Sequence, residues 1–194
     1  MTFREIFSAE QLFLRLAKEN IDATSVNSSS DFIDDKTMEK CAVGIVFCAF
    51  AMEALVNKFL KKIDEDIFWE NERRSIKDKL KILKKEIKLP VDFGRKPWKD
   101  VQELNDARNW MAHHKYPEPG LIGSEGYVSD CTQNTGAPCN IVPDFAPQKT
   151  LTLNSLVKYY NAVLQCAKEI ASMLNAKDEF EFLWNERYEP FLYG

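Results

Sequence analysis

Cys41-Ala42-Val43-Gly44-Ile45-Val46-Phe47-Cys48-Ala49-Phe50-Ala51-Met52 is the longest apolar run in the chain, and its reading decides the fold. Glu53 closes the run, and its apolar residues cover every side of a helical wheel instead of alternating as in a half-buried strand. The run is too short to cross a bilayer. It is expected to be the centre of a buried helix from Asp34 or Asp35 to about Ile63, the spine of a helical bundle.

Outward from this run the pattern stays helical. Phe3 to Lys18 has a broad apolar side through Ile6, Phe7, Phe13, Leu14 and Leu16, and Ile21 to Ser30 reads as a polar linker. Asp66 to Lys88 forms a third helical region, with a break expected near Asn71. Ile76, Leu80, Leu83 and Ile87 mark its buried face. Pro90 ends it. Pro97 suits the first turn of a fourth helix through Trp98, Val101, Leu104 and Met111, which Pro117 stops. Thr150 or Thr152 can cap a fifth reaching about Asn175, and Asp178 to Arg187 adds a short, aromatic-rich sixth.

Glycine and proline divide the chain. Residues 1–115 contain only Gly44, Gly94, Pro90 and Pro97, whereas Pro117, Pro119, Gly120, Gly123, Gly126, Gly136, Pro138, Pro143 and Pro147 crowd the middle. Residues 117–150 are therefore expected to be a long irregular loop between the fourth and fifth helices. The expected architecture is a single all-α domain over residues 1–194, a bundle of about five to six helices.

Composition narrows the function. The formal net charge of -4 argues against bulk electrostatic attraction to nucleic acid and leaves room only for a local basic patch. The five cysteines, Cys41, Cys48, Cys131, Cys139 and Cys166, form no CxxC pair, which favours a reducing, cytoplasmic setting. No apolar signal-peptide core opens the sequence. The acids show no metal-ligand spacing and no glycine loop cradles phosphate, so no metal, cofactor or membrane partner is expected.

The candidate chemistry lies in Arg108-Asn109-Trp110-Met111-Ala112-His113, which with His114 holds both histidines of the chain. Arginine is a permanently charged fork that matches phosphate oxygens. Histidine gives or takes a proton near neutral pH. Asn105, Asn109 and His113 lie four apart on one helix face, whereas Arg108 and His113 stand about 140° apart around the axis. The pair meets at one phosphate only if the arginine stem folds around, the helix distorts, or a second copy supplies the missing half. Without such convergence the strip is a solvated helix end. His114 is an alternative proton carrier in a poorer position. Lys77, Lys81, Lys84 and Lys88 form a stripe that either tracks an RNA backbone or is a solvated face.

Two segments resemble the HEPN (higher eukaryote and prokaryote nucleotide-binding) family. Leu104-Asn105-Asp106-Ala107-Arg108-Asn109-Trp110-Met111-Ala112-His113 resembles its motif of arginine, a polar residue, three variable residues and histidine. Ala51-Met52-Glu53-Ala54-Leu55-Val56-Asn57-Lys58-Phe59-Leu60 resembles its long helix, an apolar run interrupted by an acid. The resemblance covers residues 35–175. It implies a helical bundle that forms a homodimer with facing motifs. In active members it implies metal-independent RNA cleavage by 2′-hydroxyl attack, in a toxin, defence or RNA-processing role and sometimes with a protein antitoxin or inhibitor. It assigns catalysis to Arg108 and His113 with Asn109, and support to Glu53, near Arg108 or His113, and Asn57. Noncatalytic members imply the alternative, a helical dimer that binds a nucleotide, nucleic acid or protein.

Overall fold

The computed structural model describes residues 8–25, 35–113 and 151–185 with Tyr188, Pro190 and Phe191, and of His113 only its place in a helix. The fold is an all-α bundle built on α2, Asp35–Ile63. Five further α-helices surround or follow it: α1 Ala9–Ser25, α3 Glu65–Asn71, α4 Ile76–Ile87, α5 Trp98–His113 and α6 Leu153–Met173, with a 3₁₀ helix at Asp178–Trp184. α1 and α6 make the most extensive contacts with α2, and α3, α4 and α5 pack against the rest of its length. The expected loop at residues 117–150 lies outside the described residues.

α1 runs through much of the stretch expected to be a polar linker. Its buried face is Glu10, Leu14, Ala17, Ile21 and Thr24. Ile21 is fully buried, and three polar side chains return to the carbonyl one turn earlier. Asn20 Nδ2 donates to Leu16 O at 2.8 Å, Thr24 Oγ1 to Asn20 O at 2.7 Å and Ser25 Oγ to Ile21 O at 2.8 Å. Polar groups that bond locally to the helix carry no linker signal of their own. Ile6 and Phe7 lie outside the described residues.

α2 has the bounds its apolar run implied, but it is not buried on every side. Val43 is 46% exposed, and Val46, Phe47, Phe50 and Ala54 on the same side are only partly covered. The opposite side is dense. A Cβ on Gly44 would stand 2.7 Å from Leu156 Cδ2 and 3.2 Å from Asn20 Cβ, so glycine lets α1 and α6 close on α2. By length and composition the whole of α2, 29 residues, is able to cross a membrane, which the apolar run alone did not suggest. Within its most apolar window 56% is buried inside the bundle, as in a core helix.

The break near Asn71 has a local cause. Asp64 Oδ1 accepts from the backbone N–H groups of Asp66 and Ile67 at the start of α3, and Ser75 Oγ accepts from Asp78 N–H at the start of α4. Each cap satisfies donors that a new helix leaves unpaired. α4 ends at Lys88 in the left-handed conformation (φ 52°), after which Leu89 and Val91 drop into the core. α5 buries Trp98, Val101, Leu104 and Ala107, and Thr152 Oγ1 caps α6 by accepting from Ser155 N–H at 3.1 Å.

The expected sixth α-helix is a 3₁₀ helix instead. Its backbone is kinked at Phe180 (φ -118°, ψ 27°), which lets Phe180 and Leu183 both turn inward. Phe180 packs on Phe59 with ring centroids 4.6 Å apart. Beyond it the chain clamps back onto the bundle. Asn161 Nδ2 donates to Phe191 O and Asn161 Oδ1 accepts from Phe191 N–H, both at 2.9 Å. Tyr188 Oη donates to Gln11 O at 3.4 Å, and Lys18 Nζ stands 4.6 Å from the Phe191 ring. The buried C-terminal aromatics thus serve packing.

Candidate functional site

α5 is an unbroken α-helix from Trp98 through His113. Positions 108 and 113 therefore stand about 140° apart around its axis. Among the described residues the backbone of this helix end is regular. The side chain of His113 and the whole of His114 lie outside the described residues, so the structure places the arginine half of the motif.

Arg108 is partly exposed on the side of α5 that faces α2. Its Nη1 donates to Asn109 Oδ1 at 3.0 Å, and its Cζ lies 5.9 Å from the centroid of the Phe50 ring. Among the described residues it enters no ion pair. A cation at the outer edge of the range over an aromatic face gains about 0.5–1 kcal/mol. Each charge-assisted hydrogen bond to a phosphate is worth about 1.5–3 kcal/mol. A phosphate on the guanidinium edge would therefore outweigh the contact with Phe50. Through its hydrogen bond Asn109 steadies Arg108.

Glu53 and Asn57 share one side of α2 with Phe50, at i+3 and i+7. Sequence reasoning expected Glu53 beside Arg108 or His113. The structure gives it a different partner, Lys79 of α4. Lys79 Nζ lies 3.9 Å from Glu53 Oε1 and donates to Asn57 Oδ1 at 2.8 Å. The Lys79 side chain is fully buried while that of Glu53 is 40% exposed. Burial lowers the Lys79 pKa from its ordinary value, opposed by the carboxylates of Glu53 and Glu72. Glu53 and Asn57 thus serve first to satisfy a buried ammonium.

Lys79 was not singled out from sequence, although a signal existed. On the wheel of α4, position 79 lies about 40° beyond Leu83, flanking the apolar face on the side opposite the stripe of Lys77, Lys81, Lys84 and Lys88. That stripe is partly engaged. Lys84 Nζ donates to Val91 O at 3.0 Å, and Lys81 pairs with Asp78 at 2.8 Å. Lys77 is exposed, 5.6 Å from the Phe93 ring, and Lys88 is the left-handed cap of α4. Close by, burial raises the pKa of Asp106, opposed by Lys77 and assisted by Glu103.

A second charged seam joins α5 to α6. Lys158 Nζ donates to Glu103 Oε2 at 2.7 Å, with Asp100 buried beside them. Burial acts against the Lys158 ammonium, but the Glu103 hydrogen bond and the nearby acids outweigh it and raise its pKa. Burial raises Tyr159 next to it.

Among the described residues no group of three or more His, Cys, Asp or Glu side chains gathers where a metal ion would sit. Cys41, Cys48 and Cys166 are buried free thiols. Burial pushes Cys41 up to about 11 and raises the other two well above the ordinary thiol value. None is suited to act as a nucleophile. Cys131 and Cys139 lie outside the described residues. Comparison with protein-family models, with characterised proteins and with solved structures returns no match.

Proposed function

We propose that the chain is a HEPN-like, metal-independent endoribonuclease that acts as a homodimer. The observation that carries this reading is Arg108. It is partly exposed, steadied by Asn109, without an ion pair among the described residues, and set on the same regular helix end as His113.

The chemistry follows from the two groups. The 2′-hydroxyl oxygen of RNA attacks the adjacent phosphorus, the bond from phosphorus to the 5′-oxygen breaks, and a 2′,3′-cyclic phosphate and a 5′-hydroxyl result. Arg108 neutralises charge growing on the non-bridging oxygens. His113 moves the proton, taking it from the attacking hydroxyl when neutral or delivering it to the leaving oxygen when protonated. The end of a helix favours the protonated form. Because positions 108 and 113 diverge around α5, a second copy is the natural source of the missing half. The buried thiols fit a reducing, cytoplasmic setting. A toxin, defence or RNA-processing role, with or without an inhibitory protein partner, is compatible with this chemistry.

The test is cleavage of single-stranded RNA by purified protein in chelator. Arg108→Ala and His113→Ala are each expected to lower the rate by about 100-fold or more. Wild type that leaves RNA intact, or variants that cleave as fast as wild type, would overturn the proposal. Intact RNA together with clear self-association would point to the noncatalytic dimer.

A further inference from the structure

The open side of α2 holds an arrangement that the cleavage chemistry does not use. Phe13 of α1 lies 6.1 Å from Phe47, with their rings 20° from parallel, and 5.5 Å from Phe50 at 52°. All three rings are partly exposed. Phe13 and Phe47 pack against the core, whereas Phe50 stands outside the core cluster with the Arg108 guanidinium carbon 5.9 Å from its ring centroid. A large aromatic side chain that is neither buried in the core nor needed to close it, beside a cation with no carboxylate partner among the described residues, has the components of a nucleotide seat. The rings and the guanidinium plane stack a base, and the guanidinium edge takes a phosphate oxygen.

We propose that Phe13, Phe47 and Phe50 with Arg108 form a stacking platform for one unpaired RNA base next to the scissile phosphate. The inference rests on the ribonuclease reading, which brings the phosphate to Arg108. It defines the substrate as single-stranded, because a paired base is already stacked within its own helix and presents no free face. It also answers the difficulty posed by a net charge of -4. A chain that repels the RNA backbone overall gains affinity from stacking, which is insensitive to salt. Log affinity should then fall against log salt with a slope of about -0.7, the value for one phosphate contact on a single strand. Four lysines tracking the backbone would give about -2.8.

The experiment compares binding of an uncleavable 2′-O-methyl oligonucleotide with that of an abasic phosphodiester of equal length, by fluorescence anisotropy. Cleavage of the matching RNA is followed in parallel. Wild type is expected to prefer the base-bearing strand by about tenfold or more. Phe50→Leu should erase that preference and Phe50→Tyr should keep it, with thermal melting to show that both are folded. Equal binding of the two strands by wild type overturns the platform without any variant being needed. So does a Phe50→Leu protein that is folded and keeps the preference. If Arg108-dependent cleavage persists in either case, the ribonuclease reading stands without the platform. If wild type neither binds nor cleaves, the ribonuclease reading falls and the platform with it.

Discussion

At the scale of single residues, two positions carry more than their type suggests. Gly44 is a glycine in mid-helix, where alanine normally gains about 1 kcal/mol. Here the added Cβ would meet Leu156 Cδ1 at 2.8 Å and Cδ2 at 2.7 Å, so overpacking dominates. With the helix gain of about 1 kcal/mol set against an overpacking cost of about 1–3 kcal/mol, Gly44→Ala is expected to lower stability by up to about 2 kcal/mol in urea unfolding, and a more stable variant would refute the close approach. Lys79 is the other. Its folded pKa lies below the ordinary 10.5, so between those two values the unfolded chain binds more protons than the folded one. Stability due to this group therefore rises as pH climbs through that window. Wild type should gain on Lys79→Met between neutral pH and about pH 10, whereas parallel stability profiles would show an unperturbed lysine. Tyr159, which burial raises above its ordinary value, is common to both proteins and cancels in the difference. Of the candidate site, Arg108 and Asn109 were visible as candidates in the sequence because arginine and asparagine announce their chemistry. Lys79 and Phe50 were not, because each looks ordinary within its own run, and only packing reveals which lysine is buried and which phenylalanine is not.

Among the elements, α2, α4 and α6 were readable because apolar spacing and capping residues agree there, with Ser75 before α4 and Thr152 before α6. The end of α1 was not, because Asn20, Thr24 and Ser25 are equally at home in a linker, and only the burial of Ile21 decides between the two. The last helix was misjudged as α because aromatic content says nothing about the kink at Phe180 that seats it. How α5 is held to α6 belongs to this scale. The Lys158–Glu103 pair is partly buried and short, and Lys99 approaches the same carboxylate at 3.8 Å. A double-mutant cycle of Lys158→Met and Glu103→Gln should return a coupling of about 0.2–1 kcal/mol, diminished by salt. A cycle with no coupling would show that apolar packing alone fixes the angle at which α5 presents Arg108.

Across the whole molecule, the divergence of positions 108 and 113 makes assembly a question about activity. If two copies each give one half of a site, mixing the Arg108→Ala and His113→Ala proteins restores function. Random exchange puts half of the chains in mixed dimers, each with one intact site. About a quarter of wild-type cleavage should then return, against none for either variant alone. A mixture as inactive as its components would place both groups within one subunit. The clamp of Tyr188 and Phe191 on α1 has a separate consequence for how the chain is made. A ribosome delivers Gln11 and Lys18 long before the aromatic residues that fasten them. Until then the nascent polypeptide leaves Phe59 without its Phe180 cover, an oily seat for chaperones or for a neighbouring chain. Maturation of this bundle thus waits on the segment from Phe180 to Phe191, and synthesis stalled short of it yields a sticky intermediate.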